Sequence, residues 1–258
     1  MSSSPEDSEA RSSELIHPDT PPRPEKIHYQ NVAFYGRTLE EYEWMFHLKK
    51  DRLCGLRVLD CHGRASSFVA EGVREGIEAC ALDPLYDQTP RSLEGVGRAD
   101  MIEVLRKTRQ RPELYNFDFL KDIDTVQALR ETALERFLKD YPSGLAQGRY
   151  WSGQLPELPF GEDTFDLVLN NHYLFLYGDH FDYETVLASC REMSRVCAFE
   201  SGGEVRIYPL LGHNTRPYQH LQRLRIDLFH NEGISAEIVE IPFQFLKGSN
   251  QMMILRGR

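Results

Sequence analysis

Residues 56–83, LRVLDCHGRASSFVAEGVREGIEACALD, constrain the fold more than any other stretch of the chain. Leu56, Val58 and Leu59 form a short apolar run that stops at Asp60, a turn containing Gly63 follows, and Phe68, Val69, Ala70 and Val73 cluster on one helical face. Gly76 ends that helix, and 79–82 form a second apolar run closed by Asp83. Strand, turn, helix and strand in this order make one parallel βαβ unit, which binds ligands at the carboxyl ends of its strands. There the turn amides and the helix N-terminus can meet a carboxylate or phosphate. Asp83, about twenty residues past the turn, suits hydrogen bonding to ribose hydroxyls. The turn itself is irregular: a G-x-G pattern needs glycine at 62 and 64, where His62 and Arg64 stand, and Gly63 is off register. Alone, the stretch fits a cofactor cradle, or a structural turn in which Asp83 caps the next segment.

A chain of 258 residues with 41% hydrophobic and 11% aromatic content can build one sizeable core or two small ones. Its formal net charge of −10 argues against a nucleic acid partner, which needs a basic surface. No apolar run approaches the ~20 residues that span a bilayer, and no basic-then-apolar leader opens the chain, so no membrane partner and a cytoplasmic location are expected. The five cysteines are odd in number and lack C-x-x-C pairing, which reads as reduced core residues, with Cys61 on the turn but no base beside it. No metal site is expected, and nothing sets an oligomeric state.

Residues 1–26, rich in Ser, Pro and acids, cannot bury enough apolar surface to offset ordering entropy and read as a disordered tail. Residues 27–55 form a lid or cap segment with a helix. Thr38 and Glu41 make a capping box that opens this helix, and Leu39, Tyr42, Met45, Phe46 and Leu48 recur at helical spacing before Gly55. Its aromatic residues read mostly as core, but Tyr29, Tyr35 and Arg37 precede the helix in a loop from which they can reach a site. Residues 56–258 then alternate. Helices are expected over 92–110, 122–141, 183–196 and 218–230, a loop over 144–148, and strands over 165–169, 204–210, 236–241 and 251–255. The short connection PFQFLKGSN between the last two strands permits only an antiparallel pair. Repeated βα units imply an α/β fold with a mostly parallel sheet covered on both faces, here with a terminal antiparallel strand.

The strings VLDCHGRASSF, LPELPFGEDTFDLVLNNHYLFLY and REMSRV before GGEVRIYPL, with Asp83 after the second strand and the closing strand pair, resemble class I S-adenosylmethionine-dependent methyltransferases from residue 56 onward. The resemblance implies a Rossmann-like sheet of seven strands whose last strand is antiparallel, S-adenosyl-L-methionine as cofactor, and a small-molecule substrate. It implies that Asp60 and Gly63 lie beneath the methionyl part, that Asp83 holds the ribose, that Gln154 and Leu155 meet the adenine, and that Asn170 follows the strand ending at the sulfur. His62, Tyr29, Tyr35 and Arg37 join this cofactor-binding set. His62 and Arg64 replace usual glycines, and Gln154 replaces a usual aspartate, though its carbonyl can still accept from the adenine amine. Arg64 can pair with the methionyl carboxylate.

Methyl transfer is an in-line displacement at a sulfonium, which asks the protein to position a nucleophile, exclude water and sometimes remove a proton. Asn171, His172 and Tyr173 sit where the nucleophile would arrive. His172 can serve as a general base, or simply bond neighbouring backbone; Asn171 can orient an amine or cap the next turn. Tyr173, Phe175 and Tyr177 alternate near Tyr29 and Tyr35, and aromatic faces attract a sulfonium by ~0.5–2 kcal/mol, although core packing is expected for Phe175. The NNHYLFLY segment also resembles enzymes that cyclise S-adenosylmethionine to azetidine-2-carboxylate and methylthioadenosine. There it is the sole substrate, and Asn171, Tyr208 and the tyrosines are the parts. A third reading is a non-catalytic module of the same fold, motivated by the altered glycine turn.

Overall fold

The computed structural model describes residues 32–258; residues 1–26 and Tyr29 lie outside the described residues. Seven strands, β1 (Arg57–Cys61), β2 (Glu78–Asp83), β3 (Tyr150–Ser152), β4 (Leu167–Asn171), β5 (Glu204–Tyr208), β6 (Ile234–Glu240) and β7 (Gln251–Gly257), form one sheet in the order β3-β2-β1-β4-β5-β7-β6. The first five pair in parallel, and β7 runs antiparallel to both β5 and β6. This is the Rossmann-like class I methyltransferase arrangement that the resemblance implied. The order reverses between β1 and β4, and their carboxyl ends border the crevice where open α/β sheets take ligands.

Among the described residues, six α-helices cover the sheet: α1 (Leu39–Met45), α2 (Phe68–Gly72), α3 (Pro90–Gln110), α4 (Ile123–Ala146), α5 (Tyr183–Arg195) and α6 (Leu221–Glu232). Strand residues alternate between faces, so Val58 joins a core with Tyr42, Phe68, Phe137 and Tyr141, while Leu59 and Cys61 join one with Val186, Cys190, Leu224 and Met253. Each fully buried side chain of this size contributes about 1.5–3 kcal/mol. The same alternation puts Asp60 on the first face, toward α1. Thr38 caps α1 with Glu41 in the expected box.

Several expectations are corrected. The strand expected over 165–169 lies two residues later, because the Asp166 carboxylate takes the Arg57 N–H at 2.9 Å and its guanidinium at 2.6 Å, and so anchors the strand's amino end. Asn170 and Asn171 are therefore strand residues. Of the loop expected at 144–148, residues 144–146 are instead the last turn of α4, which passes through Pro142, and 147–148 form the turn; the proline removes one N–H, and Gly144 lets Tyr150 pack where a Cβ would lie 2.4 Å from its ring. All five cysteines are free, but Cys54 is exposed rather than core. Among the described residues, no helix is long and apolar enough to cross a membrane, and no cluster of His, Cys, Asp and Glu could hold a metal ion.

Candidate functional site

The β1 turn is built by packing before any ligand is considered. Gly63 donates its N–H to Leu82 O at 3.0 Å, and a Cβ there would lie 2.7 Å from both Ala81 Cβ and Tyr86 Oη. Its glycine is required by the fit of the turn onto β2. Arg64 takes the left-handed backbone (φ +52°) that a glycine would take without the roughly 1–2 kcal/mol cost to an L residue. Both of its ends are held: the carbonyl accepts from Tyr86 Oη at 2.6 Å, and Nη2 donates to His172 O at 2.7 Å. Its guanidinium lies over Tyr173 and Tyr177, 5.8 and 5.3 Å from their ring centroids.

Three ionisable groups around this turn are displaced from their ordinary values. Burial raises the Asp60 carboxyl to about 7, against the Tyr42 hydroxyl, which donates to Oδ2 at 2.7 Å, and the Arg64 charge. Burial likewise raises Asp83 to about 6, opposed by the Leu85 N–H at 3.0 Å and by Arg64. Burial and Arg64 push His62 down to about 3, so its ring is neutral. His62 Nε2 accepts the Leu155 N–H at 3.4 Å, which places the ring proton on Nδ1. Asp60 Oδ1, His62 Nδ1 and Arg64 Nε are all buried without a hydrogen-bond partner.

Residues 32–38 cross this turn as a strap. At Gly36 a Cβ would sit 1.9 Å from Ala65 O, so only glycine allows the two backbones to touch. The Arg37 carbonyl accepts from Ser66 Oγ at 2.8 Å and from the Ser67 N–H at 3.0 Å. Arg130 of α4 donates to Gly36 O and pairs with Glu41, and both charges of that pair are buried. Further along, the Ala33 N–H donates to Tyr177 Oη at 3.1 Å.

The end of β4 carries a second network. Asn170 donates to Cys61 O at 2.6 Å and accepts from the Leu174 N–H at 3.2 Å, so its amide holds β4 against β1 and the next turn. Asn171 Nδ2 donates to Tyr42 Oη at 2.9 Å, and its Oδ1 faces His172 Nδ1. That amide orientation makes Nδ1 the protonated ring nitrogen and leaves Nε2 as the acceptor. Burial, then Arg37, Arg64 and Arg130, hold His172 well below the usual histidine range, so it is neutral. Asp60, Tyr42, Asn171 and His172 thus form one continuous chain.

Under the strap lies a cavity of about 70 Å³. Ala33, Tyr35, Arg37, Arg64, His172, Leu176, Tyr177 and His213 line it, together with Val104 and Thr108 of α3 and with Tyr115, Phe245 and Leu246. No described residue in its wall is a carboxylate, and His62, Asp83, Gln154 and Leu155 do not reach it.

The expected residues therefore fall into separate groups. Asp60, His62, Gly63 and Asp83 gather at the turn, whereas Tyr35 and Arg37 meet His172 at the cavity. Tyr173 stands half-buried against His62, ring centroids 3.9 Å apart, and Phe175 is core. Asn170 carries two hydrogen bonds within the protein, and the Tyr208 hydroxyl pairs with Ser249 Oγ at 3.0 Å, with its ring edge toward His172. Gln154 is exposed, in an isolated bridge with Glu157, while Leu155 is buried beside His62. Sequence reasoning missed Tyr42, Glu41, Arg130 and Tyr115 as parts of the site. The hydroxyl of Tyr42 on an otherwise apolar helix face was the one available signal.

No family model matches the chain. An uncharacterised protein of Methanocaldococcus jannaschii is 26% identical over 231 residues, covering 89% of this chain and 98% of its own length. Among solved structures, a candidate S-adenosyl-L-methionine-dependent methyltransferase of Methanococcus maripaludis aligns over 85% of this chain and 83% of its own, at 13% identity and a TM-score of 0.43. The MccD protein aligns over 84% and 93%, at 13% identity and a TM-score of 0.37. At these levels neither structure carries information on activity, and the fold rests on the sheet order above.

Proposed function

We propose that the chain is an S-adenosyl-L-methionine-dependent methyltransferase acting on a small molecule. The observation that supports it most is the set of three orphaned atoms on the β1 turn. Asp60 Oδ1 offers an acceptor, and His62 Nδ1 and Arg64 Nε offer donors, all withdrawn from water. Buried polar atoms of this kind call for partners. An α-amino carboxylate supplies them all: its ammonium suits Asp60, and its carboxylate suits His62 and Arg64. Asp83, at the end of β2, has carboxylate oxygens suited to a ribose diol. The residues present therefore fit the cofactor, which when bound supplies an electrophilic methyl group.

The protein's own part follows from the second network. Asn171 fixes the His172 tautomer, so Nε2 is free to take a proton from an arriving nucleophile. Its depressed pKa keeps it unprotonated at neutral pH and limits its basicity. The strap closes over the turn and keeps water from the reacting groups. Cyclisation of S-adenosylmethionine is the second reading, since that reaction needs no separate acceptor.

Calorimetry with S-adenosylhomocysteine tests the binding claim. Asp83→Ala should weaken binding by at least ~1–3 kcal/mol if a buried ribose bond is lost; unchanged affinity overturns that role. Incubation with S-adenosylmethionine alone then separates the reactions. Methylthioadenosine without added acceptor replaces methyl transfer with cyclisation, and no binding at all rejects both.

A further inference from the structure

Arg37 is 7% exposed and lines the cavity under the strap, yet its guanidinium makes no hydrogen bond or ion pair among the described residues. Its one direct partner is the face of Tyr35, with the guanidinium 5.5 Å from the ring centroid. The nearby carboxylate, Glu41, is committed to Arg130 and to the Thr38 N–H. The other arginine of the wall, Arg64, already donates to His172 O. A cation buried without an anion is unfavourable unless something else supplies the charge. Burial, with the like charges of Arg130 and Arg64, pushes the Arg37 pKa down, in the direction expected of an unmatched cation.

Val104, Leu176, Phe245 and Leu246 give much of the cavity an apolar lining, with Thr108, Tyr115 and His213 among them. A guanidinium with no ion pair among the described residues, set beside these apolar side chains, suits a monoanion with a hydrocarbon body. A carboxylate matches the planar guanidinium fork in two parallel hydrogen bonds. His172 borders the same cavity with Nε2 as its uncommitted nitrogen. We propose that the cavity holds the methyl acceptor, and that this acceptor is a small apolar monocarboxylate whose carboxylate pairs with Arg37 while its nucleophilic group faces His172. The role as acceptor rests on the methyltransferase reading; recognition of a carboxylate does not.

The test uses the full chain, with hexanoate and its neutral isostere hexanamide as probes, read by ligand-observed NMR and calorimetry. Hexanoate should bind at least tenfold more tightly than hexanamide, and should still bind when S-adenosylhomocysteine is saturating. Arg37→Gln should abolish that preference and weaken hexanoate at least fivefold more than it weakens S-adenosylhomocysteine. Equal binding of the two probes to the unmodified protein overturns the proposal without reference to any variant. If Arg37→Gln weakens S-adenosylhomocysteine as much as hexanoate, or the two ligands exclude each other, the carboxylate belongs to the cofactor and the acceptor assignment falls. Hexanoate preference in a protein that binds no S-adenosylhomocysteine would instead remove the methyltransferase reading and leave the carboxylate site standing.

Discussion

Asp60→Asn should make the protein less sensitive to alkaline pH, and the size of the effect follows from burial. The Asp60 carboxyl is wholly buried, with one oxygen bonded to Tyr42 and the other unpartnered, and burial raises it from 3.8 to about 7. A carboxyl whose folded pKa is raised holds its proton more tightly in the folded state. Its contribution to stability is then fully present below 3.8 and is lost as pH rises to about 7. At about 1.4 kcal/mol per pH unit, the interval from pH 5 to pH 7 corresponds to a loss of roughly 3 kcal/mol. Asparagine keeps an acceptor for the Tyr42 hydroxyl and does not ionise. Urea unfolding at pH 5 and pH 8 should therefore give nearly equal stabilities for the two proteins at the lower pH. At pH 8 the variant should be more stable by about 1–3 kcal/mol, after allowance for its buried amide donor. The same variant should bind S-adenosylhomocysteine less well if Asp60 receives the ammonium. A uniform destabilisation at both pH values would refute the reasoning, because it would mean that the carboxylate is matched in the folded protein.

Two further outcomes follow from the strap. Glu41→Gln keeps an acceptor for the Thr38 cap but leaves Arg130 buried without its counter-ion, and should cost about 3–5 kcal/mol in urea unfolding, whereas the double replacement Glu41→Leu with Arg130→Met should cost less than Glu41→Gln. Gly36→Ala puts a methyl group into the Ala65 carbonyl and must lift the strap, so hydrogen exchange should quicken at the Ala33, Phe34 and Ser67 amides, with a stability loss of about 1–3 kcal/mol. Unchanged exchange at those three amides would show that the strap does not depend on this contact.

The βαβ unit, the capping box at Thr38, the final antiparallel pair and the position of Asp83 at a strand end were legible because each depends on neighbours in sequence. Periodicity reports which face a residue takes, and a cap needs only the next turn. Other features were illegible for the converse reason. The two-residue shift of β4 goes with the Arg57–Asp166 pair, 109 positions apart, and it put Asn170 inside the strand, bonded to Cys61 O. Tyr42 looked like core because its apolar neighbours on α1 are core; its hydroxyl meets Asn171 from 129 positions away.

By itself the sequence determined an α/β sheet with Asp60 and Asp83 at the carboxyl ends of its first two strands, since apolar pattern and the acids that follow it are local properties. Tertiary structure decided the state of those groups. It placed Arg64 in a glycine's conformation across to His172, brought the strap down on the turn through Gly36, and left Arg37 without an ion pair among the described residues. A hydrogen-bond partner, a displaced pKa or an unmatched charge is a property of a position surrounded in space, and exists only once distant segments have excluded water together.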